Sequence, residues 1–179
     1  TSMDENIGAL KNTGFEIDLK GTLIHTSDFM WRMGVNLTHY KNVVTDLPLK
    51  DMPVTGVTRL KEGRSVYDFY LREWAGVDPD NGDPLWYKNV KDEQGNITGR
   101  TTTNDYAQAD YYYVDKSSLP KVYGGFNTAF SYKGFELSAI FAYSIGGYIV
   151  DRDVTMLWSN GSNPGRAWST EILKRWTPE

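Results

Sequence analysis

The sequence predicts an all-β chain, built of antiparallel hairpins from a transmembrane β-barrel and joined by long extracellular loops. Three observations carry this expectation. Two hairpin patterns, within residues 15–40 and 120–148, alternate bulky apolar with polar residues. Each of their four candidate strands is long enough to cross a bilayer at a tilt, which takes about 9–11 residues, whereas soluble strands usually run to about 5–6. Short turns within the hairpins contrast with a connection of roughly eighty residues between them, the asymmetric plan of outer-membrane barrels.

The first hairpin, residues 12–41, places Phe15, Ile17, Leu19, Gly21 and Leu23 on one face of its opening strand and Glu16, Asp18, Lys20 and Thr22 on the other. After a turn at His25-Thr26-Ser27-Asp28, Phe29, Trp31, Met33, Val35 and Leu37 oppose Arg32, Gly34, Asn36 and Thr38, with Met30 breaking the polar face. The second hairpin, residues 119–150, repeats the plan. Val122, Phe126 and Phe130 oppose Lys121, Tyr123, Asn127 and Ser131; past a tight Tyr132-Lys133-Gly134 turn, Phe135, Leu137, Ala139, Phe141, Tyr143 and Ile145 oppose Glu136, Ser138 and Ser144, with Ile140 and Ala142 as exceptions. A strand face carrying Glu, Asp and Lys in succession needs water, and a face of rings and aliphatics needs an apolar neighbour. A soluble sandwich and a barrel with a wet lumen both meet that demand; strand length and the unequal connections favour the barrel.

Residues 42–118 form the long extracellular loop, and a loop of this length is expected to hold structure of its own. Asp78-Pro79-Asp80-Asn81-Gly82-Asp83 has turn chemistry, Leu85-Trp86-Tyr87 is the expected returning strand, and Asp92-Glu93-Gln94-Gly95-Asn96 offers a further turn, so small hairpins should form a compact sheet. Asp78, Asp80 and Asp83 are the candidate metal ligands, for calcium. The full calcium-loop pattern is absent, because Gly82 is fifth where the pattern wants it sixth and Asn89 stands where the bidentate Glu belongs. A plain hairpin turn is therefore the expected state, with no cofactor and with calcium as the alternative.

Aromatic residues crowd this loop. Trp74, Trp86, Tyr111, Tyr112 and Tyr113, with Arg72, are the candidate ligand contacts, able to stack on sugar rings or clamp a peptide, and Glu73 and Asp110 can add polar contacts. For any one ring the competing expectation is packing of the loop itself. The run Tyr111-Tyr112-Tyr113 cannot point all its rings to one face if extended. Residues 151–179 form a second surface loop containing Ser159-Asn160-Gly161-Ser162-Asn163-Pro164-Gly165, and the spacing of Trp168, Ile172 and Leu173, with Pro178 as a stop, predicts a short helix within 167–176.

Composition narrows the function classes. No apolar run reaches the eighteen or so residues of a transmembrane helix, so a membrane crossing must use strands. The absence of cysteine excludes a disulfide framework, a thiolate metal site and a cysteine nucleophile. A net charge of −4, with no basic stripe, argues against nucleic acid as a partner. An enzyme is not expected, since His25 and His39 are the only histidines and no nucleophile elbow accompanies them. Glu16 and Asp18 read as lumen-facing charges near Lys20 and Arg32 rather than as a hydrolase dyad, and the Asn-x-Ser/Thr matches at Asn36, Asn96 and Asn160 carry no weight in a bacterial protein. The polar, acidic start at residues 1–6 and the end at Lys174-Arg175-Trp176-Thr177-Pro178-Glu179, which completes no strand, lead us to expect a piece of something longer.

Several segments resemble a known family. Asn12-Thr13-Gly14-Phe15-Glu16-Ile17-Asp18-Leu19 is similar to a strand opening of TonB-dependent receptors. Phe69-Tyr70-Leu71-Arg72-Glu73-Trp74-Ala75-Gly76-Val77-Asp78-Pro79, Gly82-Asp83-Pro84-Leu85-Trp86-Tyr87, Leu119-Pro120-Lys121-Val122-Tyr123-Gly124-Gly125-Phe126 and Tyr132-Lys133-Gly134-Phe135-Glu136-Leu137-Ser138 resemble the SusC/RagA branch of that family. The resemblance implies a late section of a barrel of about 22 strands, in the outer membrane of a Gram-negative bacterium and bordered by outer-membrane lipid. It implies import of glycans or peptides, a SusD-like surface lipoprotein as lid and energy relayed by TonB. It assigns neither energy coupling nor gating to any residue here, since no plug or TonB-box motif is recognised among them. The rival expectation is a soluble carbohydrate-binding β-sandwich whose two hairpins bury their apolar faces against each other.

Overall fold

The computed structural model describes residues 8–50, 52–158 and 164–178. Residues 1–6, the Ser159 to Asn163 part of the second surface loop with its Asn160 match, and Glu179 lie outside the described residues. In chain order the elements are β1 (Ala9–His25), β2 (Phe29–Asp46), β3 (Asp68–Arg72), β4 (Trp74–Val77), β5 (Pro84–Lys91), β6 (Ile97–Thr103), β7 (Tyr111–Ser117), β8 (Pro120–Tyr132), β9 (Phe135–Gly146) and α1 (Arg152–Leu157). Single 3₁₀ turns occupy Tyr106–Gln108 and Thr170–Lys174. Contacts divide the chain into two units, Thr1–Phe69 with Asp115–Tyr148, and Tyr70–Val114 with Ile149–Glu179.

The first unit is an antiparallel sheet in the order β1-β2-β8-β9. Register makes one face apolar across all four strands: Leu19 pairs with Val35, Val35 with Phe126, and Phe126 with Phe141. The row one residue further along β1, Lys20-Gly34-Asn127-Ile140, belongs to the other face. Because side chains alternate with period two, a slip of one residue would exchange the faces. Charges on the polar face pair in the open: Lys20 with Asp18 at 2.9 Å and Arg32 with Glu136 at 3.3 Å.

Among the described residues of the unit, none covers the apolar face. Phe135 is 80% exposed and Leu137 68%, while buried hydrophobic residues among those described are limited to Val44, Phe69 and Ala109. Phe15, Trp31, Phe126 and Phe141 therefore share no dry interior of the kind a sandwich requires. The rings instead pack sideways within the face, Phe126 stacking on Phe141 at 4.4 Å and Trp31 on Phe130 at 5.4 Å. Trp31 satisfies its indole N–H on the Thr128 hydroxyl at 2.9 Å.

Both short turns lie at one end of the sheet. Thr26 caps the first, its hydroxyl accepting from Phe29 N at 3.0 Å. Lys133 and Gly134, with φ of 47° and 88°, form the second, a two-residue turn in which both central residues take the left-handed conformation that matches strand twist. The Lys133 amide donates to the Asp28 carbonyl at 3.0 Å, fixing the two turns side by side. The strands run further at the opposite end than apolar alternation predicts. Pairing continues from Asn12 back to Ala9 and from Asn42 on to Asp46; Lys11 inside the first extension and Lys41 just before the second replace apolar residues and erase the contrast that marked the strand. There Asn42 is buried, donating to Asn12 at 2.7 Å and accepting from Ser65 and from the Val66 amide.

In the second unit β4, β5 and β6 form a three-stranded sheet. Asp78 N donates to Asp83 O at 2.8 Å and Gly82 N to Asp78 O at 2.9 Å, closing the β4–β5 turn. Asp92 closes the β5–β6 turn by accepting from the amides of Gln94 and Asn96. β3 pairs with β7. Where the sequence suggested only loop, Asp151 caps α1 by accepting from Val154 N at 2.9 Å. The helix expected within 167–176 is a five-residue 3₁₀ turn capped by Ser169, since Arg175 already has an extended backbone and a run this short does not sustain an α-helix. Among the described residues no helix is long and apolar enough to cross a membrane.

Candidate functional site

The candidate ligand contacts gather in the second unit, held by two guanidinium groups each sandwiched between rings. Strand alternation separates the tyrosine run: Tyr111 and Tyr113 turn to Tyr70, at 5.5 and 4.7 Å between ring centres, while Tyr112 turns the other way. Arg72 stacks over Tyr111 at 4.7 Å and Tyr106 at 4.3 Å, and its Nε donates to the Ala109 carbonyl at 3.1 Å. Arg100 lies over Tyr87 at 4.0 Å and Tyr112 at 4.2 Å and pairs with Glu73 at 2.8 Å. That ion pair is the main reason the Arg100 pKa is raised; partial burial raises that of the Tyr112 phenol.

Trp86 is the hub of the remaining rings. It meets Trp74 edge-on at 5.7 Å and Tyr106 edge-on at 5.1 Å, and these outer two are 53% and 51% exposed. The result is a pair of open aromatic surfaces flanking a ring that holds them, with the Arg72 guanidinium under one. Such a surface can take the apolar face of a sugar ring or a peptide side chain. The other named groups have structural partners. Glu73 holds Arg100, Asp110 accepts from the Asn89 amide at 2.7 Å, and the Tyr112 hydroxyl donates to Asn89 at 2.9 Å.

Tyr70, Tyr87, Tyr106 and Arg100 join the expected ligand contacts, and the last two stand out in the sequence only on closer inspection of their turns. Both had a signal. Asp105 caps the 3₁₀ turn that presents Tyr106, with Gln108 reaching back to the same carboxylate, the spacing of a capping box. Arg100 pairs with Asn89 across the β5–β6 hairpin, a position that counting outward from the Asp92 turn would give. At the proposed metal position, Asp78 accepts from the Asp80 amide at 2.9 Å and Asp83 from the side chains of Asn81 and Asn104. No group of three metal-ligating side chains occurs among the described residues.

The first unit holds an open cleft of about 460 Å³ at the long-loop end, lined by Asn42, Arg64, Asp68, Ser117 and Lys121 among others. Arg64 spans its mouth to Asp115 at 3.0 Å.

No protein-family profile matches the chain. TonB-dependent receptor P3 of Formosa agariphila is 26% identical over 191 residues, an alignment covering 99% of this chain and 19% of the receptor. TonB-dependent receptor SusC of Bacteroides thetaiotaomicron is 28% identical over 161 residues, covering 82% of this chain and 15% of SusC. A structure of the RagAB peptide transporter superposes with a TM-score of 0.82 at 30% identity over 97% of this chain and 19% of its counterpart. Over nearly its whole length the chain is similar to SusC/RagA-type TonB-dependent receptors. It spans about 19% of the length of the receptor relatives it matches.

As SusC/RagA-type structure, the four-stranded sheet is a stretch of antiparallel barrel wall, open here and closing no barrel by itself, and residues 47–119 are the connection that carries the aromatic cluster. The relatives are receptors and transporters, not enzymes. TonB-dependent receptors, the class of these relatives, are outer-membrane proteins.

Proposed function

We propose that this chain supplies part of the wall and of the outer loops of an outer-membrane receptor that imports glycans or peptides by TonB-dependent transport, in a Gram-negative bacterium. One observation carries the reading: the apolar row Leu19, Val35, Phe126 and Phe141 is continuous over four strands and left uncovered, while the opposite face is polar and charged. β9, with 12 residues at about 3.4 Å each and a tilt of about 40°, rises about 30 Å, which matches a hydrocarbon core. An uncovered apolar face of that height is stable against lipid and unstable in water. The aromatic cluster is the proposed ligand contact, a SusD-like surface lipoprotein the proposed partner, and TonB is proposed to engage parts of the receptor beyond these residues. Peptides are the first substrate class to test, since the RagAB structures are of a peptide importer.

The test is uptake by cells carrying the full-length receptor with its lipoprotein. Labelled oligopeptides or oligosaccharides should enter, uptake should stop when TonB is deleted, and the receptor should fractionate with the outer membrane. Recovery of the protein in the aqueous phase, folded without detergent, would overturn the reading in favour of a soluble sandwich.

A further inference from the structure

The pairing along one edge of β2 has a gap at the long-loop end. β8 accompanies this edge as far as Thr38, which lies opposite Tyr123. Further out the neighbour is the segment around Gly63 and Arg64: Val44 N donates to the Arg64 carbonyl at 2.8 Å, and the Gly63 amide to the Val44 carbonyl at 2.9 Å. From Thr38 to Val44 the strand advances about 20 Å at about 3.4 Å per residue. β8 does not fill that length. Lys121 bulges out of the β8–β9 ladder and turns its carbonyl to the His39 ring, and Pro120 before it has no N–H to offer.

The peptide groups of successive residues in a strand point to opposite edges. Those of Val44 point to Gly63 and Arg64, and the β1–β2 register is unbroken from Gly14 opposite Tyr40 to Leu10 opposite Val44, so those of Asn42 and Tyr40 point to the same edge. Two N–H and two C=O groups therefore face the gap, and among the described residues no strand or loop pairs with them. Asn42 makes this costly, because it is only 4% exposed and buried main-chain groups are almost always bonded. Its side chain has the same shortfall. Oδ1 accepts from Ser65 Oγ at 3.1 Å and from the Val66 amide at 3.0 Å, which fixes the orientation of the group; Nδ2 donates to Asn12 at 2.7 Å, and its second N–H has no partner among the described residues. The space beside these groups is the cleft of about 460 Å³, a volume typical of ligand pockets, and residues 39–43 line it in one unbroken run.

We propose that this cleft takes a short oligopeptide in extended conformation, added as a strand against Tyr40 and Asn42. Hydrogen-bonding groups recur along this edge at every second residue, about 7 Å apart, which is the repeat of an extended peptide and not of a sugar chain's hydroxyls. The flanking side chains carry both signs, Asp68 against Arg64 and Lys121, so the site reads backbone rather than sequence. It belongs to the first unit and is additional to the aromatic cluster of the second. The proposal rests on the reading that peptides are imported.

The experiment uses the purified full-length receptor with its lipoprotein in detergent, and fluorescein-labelled pentaalanine as the probe. Binding is read by fluorescence anisotropy, and amide exchange by mass spectrometry resolved to single residues. The probe should slow exchange at the Tyr40 and Asn42 amides and leave Lys41 and Val43, whose amides face β1, unchanged. A probe methylated at every amide nitrogen should bind about thirtyfold more weakly, the loss of two hydrogen bonds. Ser117→Trp, which fills the cleft, should abolish the added protection; if that variant does not fold, the methylated probe decides the question. Binding without added protection at Tyr40 and Asn42, or equal affinity for the methylated probe, overturns the site and leaves peptide import standing. Full protection of both amides in the free receptor also overturns it, since another part of the receptor then fills the gap. If labelled cellohexaose binds and no peptide does, the site and the peptide substrates fall together while the receptor reading stands.

Discussion

Tyr143 on β9 donates its hydroxyl to the backbone carbonyl of Asn36 on β2 at 2.9 Å, reaching across the intervening strand β8. Gly124 makes this reach possible. It pairs with Tyr143 on one side and Leu37 on the other, and a Cβ added there would collide with the Asn36 carbonyl oxygen and lie 2.9 Å from the Tyr143 hydroxyl. Tyr143→Phe in the full-length receptor should cost about 1 kcal/mol, the loss of one hydrogen bond. Gly124→Ala should cost about 1–3 kcal/mol, because the backbone must shift to admit the methyl group. Urea midpoints of the detergent-folded receptor check both, and a Gly124→Ala midpoint equal to that of the parent would contradict the packing described.

The barrel wall was legible because its side chains report a two-sided environment with period two, and the structure keeps the expected faces from Phe15 to Ile145 except at a bulge at Leu23, past which Ile24 rather than Leu23 stands opposite Trp31. What the sequence concealed lies where that contrast fades. The outer ends of β1 and β2 carry Lys11 and Lys41 in place of aliphatics, so the pattern stopped before the strands did. In the long loop, composition announced the aromatic crowd but not who meets whom, since pairings such as Arg72 with Tyr106 join residues distant in sequence. Trp176 is a similar case: its indole donates to the Pro79 carbonyl at 3.2 Å and its ring covers Gly82, a contact no local rule anticipates.

Arg100 should be replaceable by neither lysine nor alanine without loosening the small sheet. Its planar guanidinium serves Tyr87, Tyr112 and Glu73 together, which an ammonium cannot do with the same geometry. The group is 40% exposed, so solvent screens the ion pair and the expected local loss is about 1 kcal/mol. Hydrogen exchange should show faster amide opening in β5 and β6 for Arg100→Lys, with the four-stranded sheet unchanged.

The β5–β6 turn should weaken in acid. The Asn96 side chain is the largest cause of the lowered Asp92 pKa, followed by the Asn96 amide. A lowered folded-state pKa means that the carboxylate's contribution is complete above the ordinary carboxylate range and is lost as pH falls through the depressed value. Amides of Gln94 and Asn96, corrected for intrinsic exchange, should therefore gain exchange rate on acidification below that range. Asp92→Asn should remove most of this dependence; an undiminished one would point to another group.

Calcium provides a direct check on the β4–β5 turn. Asp78 and Asp83 already accept hydrogen bonds from Asp80 N, Asn81 and Asn104, so a cation would have to displace these contacts before gathering its six or more oxygens. Millimolar calcium should leave the thermal transition of the full receptor unmoved. A saturable upward shift, abolished by Asp83→Asn, would instead establish a cation site at Asp78, Asp80 and Asp83.

Trp74 and Trp86 separate ligand contact from scaffold. Trp74 is open and meets Trp86 along one edge, whereas Trp86 supports both Trp74 and Tyr106. If the open rings contact the imported oligomer, Trp74→Ala should weaken uptake affinity about fivefold to tenfold, equivalent to about 1–1.4 kcal/mol of ring contact, with little change in stability. Trp86→Ala should weaken uptake and also speed amide exchange across β4–β6, because the support for both outer rings is lost. Trp74→Phe, which keeps an aromatic face, should recover part of the affinity. Unchanged uptake by Trp74→Ala together with faster exchange would assign the cluster to loop packing alone.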